Sequence, residues 1–233
     1  MYKTILIAII SVFGVSCLKI SDPVIIDLED SFLSGPGVFV LNEGNFKSGN
    51  GSLSFYSYDS AKLYNNTFQS INHRPLGDVP YSMNISGSRA YIVVNNSGKI
   101  EVVDRNSLIS VAVVNELTAP RYISFVSDKK AYVTSLYSDS VAVLDLTSNT
   151  VSGYINVRHP SESIAVSLTE AFIAHWAGGN RIFVINTRTD QVVDSLEVGM
   201  EPESMVIDGG GTLWVLCNGG WQREYFAELI AIN

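Results

Sequence analysis

The residues of this chain that could do chemistry fall in loops rather than within its apolar segments. The segment AFIAHWAGGN, at residues 171–180, ends an apolar run with His175 and Trp176 and then enters a glycine-rich stretch. An imidazole can exchange protons or ligate a metal, whereas an indole offers an N–H donor on a large apolar ring. The other two histidines, His73 and His159, lie on separate segments without metal-ligand spacing. The sequence therefore predicts no metal site, and it assigns the histidines hydrogen bonding or no role.

The composition bounds the classes of partner. The 233-residue chain is 46% hydrophobic and 16% charged, which is typical of a folded protein. Its formal charge is −8, and no cluster of Lys or Arg offsets that acidic balance. A nucleic-acid-binding surface needs a basic face, so we expect no nucleic-acid partner.

The first 17 residues predict a lipoprotein-type signal peptide. Lys3 precedes an apolar run at residues 5–15, which is shorter than the roughly 20 residues that span a bilayer. Small residues then lead to Cys17, as in a lipobox, although Gly14 stands where a lipobox usually has leucine. We expect Cys17 to be lipidated and the protein to be exported and anchored at the outer membrane or cell surface; an ordinary secretory signal peptide is the alternative. Residues 18–36 are predicted to be a tether.

The remainder of the chain repeats with a period of about 40 residues. In RAYIVVNNSGKIEVVD, KAYVTSLYSDSVAVLD and EAFIAHWAGGNRIFVIN, a β-branched run led by an aromatic residue is followed by a polar turn and a second alternating run. This alternation of apolar and polar residues indicates strands. No segment sustains the period of about 3.6 residues over the length of a typical helix. We expect the aromatic to pack between sheets and a recurring proline to begin each inner strand. These positions are Tyr91, Tyr132, Phe172 and Trp214, and Pro80, Pro120, Pro160 and Pro202.

Four antiparallel strands in each repeat predict an all-β chain that folds as a β-propeller of four-stranded blades. A β-sandwich is the alternative, but a sandwich does not require self-similar units. Residues 37–233 provide about five blades, of which the first lacks an inner strand and the last is incomplete because it lacks an outer strand. Such a ring has open edges, and residues 24–28 are a candidate closing strand.

The repeat resembles the YVTN-type β-propeller repeat of bacterial cell-surface proteins. In AYVTSLYSDSVAVLDLTSNTVSGYINV, residues 132–134 match the motif, and Ser135 replaces its asparagine. More narrowly, VFVLNEGNFKSGNGSLSFYSYD, AYIVVNNSGKIEVVD and LWVLCNGGW are similar to segments of propeller lipoproteins of Bacteroidetes outer membranes. Some of that group form closed seven-bladed rings and capture a nutrient, cobalamin among them, for an adjacent TonB-dependent transporter. The resemblance implies an incomplete seven-bladed ring, but it says little about the ligand because propellers host many functions.

Alternate connections of a four-stranded antiparallel blade leave from the same end. The loops between second and third strands and the links between blades therefore gather on one face, and this face receives amide side chains, large aromatics and all three histidines. The opposite turns, such as SGSR at residues 86–89, are short and polar. Rigid aromatics with amide groups suit a concave site for a polar organic ligand, although each residue taken singly has an equally good structural explanation. The candidate ligand-binding residues are Asn42, Glu43, Asn45, Phe46, Arg74, Tyr81, Asn95, Asn96, Arg121, Tyr122, Tyr137, His175, Trp176, Asn218 and Trp221.

We expect a non-catalytic surface protein that needs no cofactor. It would hold a small polar organic ligand, a corrinoid being one candidate, for a TonB-dependent outer-membrane transporter. Two alternatives stay open. A propeller enzyme of the lactonase or lyase type would need convergent acids, for which Glu43, Asp78 and Glu162 are candidates. A protein-interaction scaffold would use the same face to dock a transporter or a surface glycan.

Overall fold

The computed structural model of the chain describes residue 33 and residues 35–233. The predicted signal peptide, Cys17, nearly all of the predicted tether and the candidate closing strand lie outside the described residues. The described part contains eighteen strands and one short helix. In chain order the elements are β1 (Gly37–Asn42), β2 (Ser52–Ser57), β3 (Lys62–Tyr64), α1 (Thr67–Asn72), β4 (Pro80–Ser86), β5 (Arg89–Val94), β6 (Lys99–Asp104), β7 (Ser110–Val114), β8 (Pro120–Ser127), β9 (Lys130–Ser135), β10 (Ser140–Asp145), β11 (Thr150–Asn156), β12 (Ile164–Val166), β13 (Glu170–His175), β14 (Arg181–Asn186), β15 (Gln191–Glu197), β16 (Pro202–Ile207), β17 (Leu213–Cys217) and β18 (Glu228–Ile232).

The strands form five antiparallel sheets, which are arranged in a ring as the blades of a β-propeller. Blades 2, 3 and 4 have four strands each, β4–β7, β8–β11 and β12–β15, and the first strands of consecutive blades are neighbours around the axis. Within the described residues, blade 1 (β1–β3) has three strands without an inner one, and blade 5 (β16–β18) has three strands without an outer one. The predicted all-β propeller of about five blades is therefore confirmed. The larger seven-bladed ring stays a prediction.

The second strands of blades 2, 3 and 4 pack against both neighbouring blades because successive side chains point to opposite faces. In β5, Ala90, Ile92 and Val94 belong to the apolar cluster between blades 1 and 2, whereas Tyr91 and Val93 belong to the cluster between blades 2 and 3. These strands are apolar on both faces for that reason, as buried strands are.

The predicted packing of the recurring aromatics between sheets is confirmed for Tyr91 and Tyr132, whereas Trp214 belongs to none of the apolar clusters between the described blades. Tyr91 lies between blades 2 and 3 and Tyr132 between blades 3 and 4, with 4% and 0% of their surfaces exposed.

Cys217 lies in the cluster between blades 4 and 5 as a free, buried thiol, and burial raises its pKa. Its position keeps the thiol away from solvent.

A register shift recurs where the third strand of a blade meets the fourth. It falls between Val102 and Val103 in blade 2 and at the equivalent points of blades 3 and 4. Such bulges bend a strand and increase its right-handed twist. The outer strand of each blade is therefore turned relative to the inner one, as expected of propeller blades.

The short helix α1 between blades 1 and 2 is an element that the sequence does not predict. It has six residues and begins after Asn66, which has a left-handed backbone. The Thr67 hydroxyl donates to Leu53 O at 2.9 Å, and Phe68 is fully buried against blades 1 and 2. Six residues are too few to display a helical period, so tertiary packing decides this helix. No helix in the described part of the chain is long and apolar enough to cross a bilayer.

Candidate functional site

One end of the propeller, which we call the loop face, carries the loops between second and third strands and the links between blades. Hydrogen bonds join these connections across blade boundaries. Gly51 forms a bridge with Gly77, and Asn95 Nδ2 donates to Pro120 O at 3.0 Å. All the candidate ligand-binding residues lie on strand ends or connections at or near this face, so the remaining question is which of them meet.

Large aromatic side chains from three loops stand exposed on the loop face. They are Phe46, Tyr137, Trp221, Tyr225 and Phe226, with 64%, 75%, 82%, 60% and 95% of their surfaces accessible. They belong to the second-to-third-strand loops of blades 1, 3 and 5. Large aromatics are normally buried, so an exposed set at one end provides apolar surface for a ligand or partner.

Near the axis, the structure brings Tyr81, Arg121 and Tyr122 together with Glu162. Arg121 donates to both carboxylate oxygens of Glu162 at 2.7 Å, and the Tyr81 hydroxyl donates to Glu162 Oε1 at 2.8 Å. The Arg121 guanidinium lies 3.4 Å from the centre of the Tyr81 ring, and the Tyr122 ring meets that ring edge-on at 5.4 Å. We call these four residues the axial cluster.

The axial cluster forms because its members occupy related places in three repeats. Tyr81 and Arg121 follow the prolines that begin β4 and β8, and Glu162 follows Pro160 shortly before β12. Adjacent inner strands therefore present them to one another. Glu162 is only 2% exposed, and burial together with the Glu162 charge raises the pKa of the Tyr81 hydroxyl. The hydroxyl consequently stays a donor, and the cluster ties blades 2, 3 and 4 together.

Asp78 organises the loops of blades 1 and 2. Its carboxylate accepts hydrogen bonds from the Lys47 backbone N–H at 2.9 Å and from Asn96 Nδ2 at 2.5 Å. Its own backbone N–H donates to the Ser97 hydroxyl at 2.9 Å. Asp78 is 8% exposed and is held within this network, which fixes the Phe46–Lys47 turn above it.

The predicted residues at the end of β1 make local contacts. Asn42 Nδ2 donates to the hydroxyls of Ser52 and Ser54 at 3.1 and 3.0 Å. The Asn45 backbone N–H donates to the side chain of Asn50, and Glu43 is exposed. Asn42 thus pins β1 to β2.

Arg74 lies against the outer strands of blade 2. Its guanidinium binds both oxygens of Glu101, which is fully buried and also accepts from Lys99 and from the Ser110 hydroxyl. The ring of Phe68 lies 5.0 Å from the guanidinium carbon. Burial by itself would raise the pKa of Glu101, but the hydrogen bonds from Arg74, Ser110 and Lys99 together lower it. Arg74 is thereby engaged with β6 and β7, away from the inner strands that hold the axial cluster.

Two of the three histidines stack on each other. The rings of His159 and His175 are 4.1 Å apart, and Phe183 continues the stack at 5.7 Å from His159. Burial lowers the pKa of His175, and the charges of His159 and Arg181 lower it further. His73 follows α1 separately as its C-cap. Among the described residues, no group of three or more histidine, cysteine or acidic side chains is placed to hold a metal ion.

Trp176 and Glu201 leave two buried polar atoms without a partner. Indole Nε1 of Trp176 and Oε2 of Glu201 find no hydrogen-bond partner within the described part of the chain. The two residues lie on connections that touch: Gly178 N–H donates to Glu201 Oε1 at 3.1 Å, and Glu201 N–H donates to Gly179 O at 2.6 Å. Asn218 N–H in turn donates to Glu201 O at 3.1 Å. A buried donor and a buried acceptor therefore remain open on neighbouring loops of blades 4 and 5.

Sequence reasoning does not find Glu201. This residue is 5% exposed and has a left-handed backbone with φ 53°. It precedes the proline that begins β16, where the other blades have Val79, Ala119 and His159. An acidic residue at a position that is otherwise apolar or aromatic is the signal that could have found it.

The comparisons with known proteins identify a family. The model of a family described as a domain of unknown function, DUF5074, matches residues 36–233. No curated protein matches the chain.

Solved structures with the same fold come from varied proteins. Hydrazine synthase of Kuenenia stuttgartiensis is 23% identical with a TM-score of 0.60, covering 65% of this chain and 46% of that one. A quinoprotein alcohol dehydrogenase-like protein of Bacteroides thetaiotaomicron is 12% identical with a TM-score of 0.63, covering 86% and 52%. The Cps50 (Swd1) propeller domain of Myceliophteria thermophila is 11% identical with a TM-score of 0.60, covering 72% and 56%. The chain thus spans about half the length of these structures, and at such identities the likeness concerns the fold alone.

Proposed function

The chain belongs to the DUF5074 family, and we propose that it is a non-catalytic ligand-binding β-propeller whose loop face holds a small polar organic molecule. The observation that carries this proposal is the pair of buried, unpartnered atoms, Nε1 of Trp176 and Oε2 of Glu201. Leaving a buried donor or acceptor unpaired costs about 1–3 kcal/mol for each group. A ligand that pairs both atoms would recover that free energy on binding.

The chemistry of the two atoms limits the ligand. The indole N–H needs an acceptor, and the carboxylate oxygen needs a donor such as a hydroxyl, an amide N–H or an amine. Ala177 and Gly178, the exposed residues of the loop that joins Trp176 to the Glu201 contact, have left-handed backbones. Movement of this two-residue tip would open a path to the buried pair.

The exposed aromatics support binding at the same end of the molecule. Phe46, Tyr137 and Trp221 offer rigid apolar area with little side-chain entropy to lose. A ligand with an apolar or aromatic body and a few polar groups would suit both features. A corrinoid has this character and is the candidate that the family resemblance in the sequence suggests.

The cellular setting belongs to the proposal as well. We propose that the protein is exported, anchored by lipid on Cys17 at the outer membrane or cell surface, and passes its ligand to a TonB-dependent transporter. These elements rest on residues 1–17 and on the sequence resemblance. Mass measurement of the mature N-terminus in a bacterial host would test the lipid on Cys17.

Calorimetric titration tests the ligand site with matched tryptophan variants. The purified protein is titrated with cobalamin, a ferric siderophore and neutral oligosaccharides. Trp176→Phe keeps an aromatic ring but removes the unpartnered N–H, so we expect affinity to fall at least about tenfold with no loss of stability. Trp214→Phe is the control, because Trp214 Nε1 already donates to Asp208 at 2.9 Å at the opposite end of blade 5. This variant should bind normally.

Three results would contradict the proposal. Binding that is equally strong in both tryptophan variants would exclude Trp176 from the site. Metal-dependent hydrolysis of a lactone that survives Trp176→Phe would favour an enzyme. Co-purification with an outer-membrane receptor, combined with no thermal shift by any small molecule, would favour an interaction scaffold.

A further inference from the structure

A cavity of about 350 Å³ lies at the outer edge of the propeller between blades 2 and 3. None of its lining residues is among the candidate ligand-binding residues, and we call it the edge groove. Its volume falls at the lower end of the range for small-molecule sites, roughly 300–1,000 Å³. Its lining residues are Val113, Val114, Asn115, Glu116, Asn149, Thr150, Val151 and Tyr154.

The edge groove has an apolar floor and polar walls. Val114 belongs to the apolar cluster between blades 2 and 3, and Val151 packs against that cluster. The walls carry two amides, one carboxylate and the hydroxyls of Thr150 and Tyr154, and Tyr154 is 61% exposed. None of the described residues that line the groove is a lysine or an arginine, so the described lining holds no group that would neutralise an anion. A single carboxylate is likewise too little to hold a metal cation.

Asn149 supplies an acceptor without a partner. Its Oδ1 is buried and makes no hydrogen bond with any residue that the structure describes. One repeat later the equivalent residue is Asp190, whose carboxylate accepts from Lys130 Nζ at 2.7 Å and from the Tyr132 hydroxyl. Blades 3 and 4 thus close this position with their own side chains. Between blades 2 and 3 the corresponding residue, Asn149, lines the groove, and its Oδ1 has no partner among the described residues.

We propose that the edge groove binds a neutral saccharide. Tyr154 offers a ring face for the C–H surface of a sugar, as exposed aromatics do for flat apolar surfaces. Sugar hydroxyls both donate and accept, so they can pair with Asn149 Oδ1 and Glu116 as donors and with the Asn115 amide as acceptors. Because the lining residues that the structure describes include no cationic side chain, the groove selects against phosphorylated or acidic sugars.

Chemical-shift mapping by NMR tests this site on the whole protein. Glucose, galactose, mannose and maltose are the probes, and glucose 6-phosphate is the charged counterpart. We expect at least one neutral sugar to perturb signals of the edge-groove residues, with the phosphorylated sugar binding more weakly. Tyr154→Ala and Asn149→Gly should each weaken binding roughly tenfold. Glycine is chosen because Asn149 has φ 54°, a conformation that glycine adopts without strain.

Matched controls keep the test independent of folding and of the loop face. Tyr58→Ala removes another exposed tyrosine, and Asn106→Ala removes an exposed asparagine of a blade 2 hairpin; both should bind sugar normally. Trp176→Phe should also leave groove binding unchanged, so that failure at one site is distinguishable from failure at the other. Perturbation by no neutral sugar, or binding unaffected by both groove variants, would overturn the proposal.

Discussion

Removing the Arg121 side chain is expected to destabilise the whole propeller. Arg121 and Glu162 form a bidentate ion pair at 2.7 Å, with their side chains 13% and 2% exposed. Unit charges about 4 Å apart attract by about 4 kcal/mol at an effective dielectric constant near 20. Arg121→Ala leaves the buried Glu162 carboxylate with Tyr81 as its remaining partner, and breaking such a pair typically costs about 3–5 kcal/mol.

Urea unfolding followed by circular dichroism measures this loss. In thermal unfolding, a decrease of 3–5 kcal/mol in the free energy of unfolding would lower the midpoint temperature of a chain of this size by roughly 10 °C. Arg89→Ala is the matched control, because Arg89 pairs with Asp104 at 3.7 Å with both side chains well exposed. Exposed ion pairs contribute little, so the free energy of unfolding should hardly change in this variant.

A double variant separates lost charge pairing from lost packing. Arg121→Met with Glu162→Gln removes both charges, keeps the apolar stem of residue 121, and leaves an acceptor for the Tyr81 hydroxyl. Neutral replacements of buried ion pairs are often tolerated, so most of the lost stability should return. If Arg121→Ala is no more destabilising than Arg89→Ala, or if the double variant is as unstable as Arg121→Ala, the axial cluster does not hold the blades together as argued.

Two further predictions concern the contacts between blades and within blade 2. Tyr132→Phe should lower the free energy of unfolding by about 1–2 kcal/mol, because the buried Tyr132 hydroxyl donates to Asp190 of the next blade. Tyr137→Phe is the control, because Tyr137 is exposed on the loop face, and this variant should leave the free energy of unfolding unchanged. Equal effects of the two variants in urea unfolding would contradict this prediction. The lowered pKa of Glu101 makes a contribution to stability that is present above the unfolded-state pKa of about 4.3 and is lost as pH falls through the lower folded-state value. Glu101→Gln should therefore lose less stability than the wild type between about pH 5 and pH 3, and parallel pH profiles would exclude this role.

The amino-acid sequence by itself is enough to predict the fold of the described part. The alternation of apolar and polar residues, the turn residues and the regular spacing of prolines and aromatics are local properties of the sequence. Each repeat shows them again. The same count of strands in each repeat predicts that blades 1 and 5 have three strands in the part of the chain that the structure describes. The sequence does not predict helix α1, because six residues are too few to show a helical period. The stability of this helix comes from the burial of Phe68 against two blades.

The candidate site depends on contacts between repeats, which the sequence does not specify. Strand order brings the loops to one end, but the identity of partners is decided by side chains that meet across blade boundaries. The sequence predicts both Arg121 and Arg74 as ligand-binding residues of the same face. In the structure Arg121 forms an ion pair with Glu162 near the axis, whereas Arg74 forms one with Glu101 in the outer part of blade 2. The unpartnered atoms of Trp176 and Glu201 become visible only in three dimensions. The repeat pattern determines where each strand runs. Hydrogen bonding, in contrast, depends on differences of less than about 1 Å in the distances between side chains that are about 25–40 residues apart, and only the packing of the blades determines those distances.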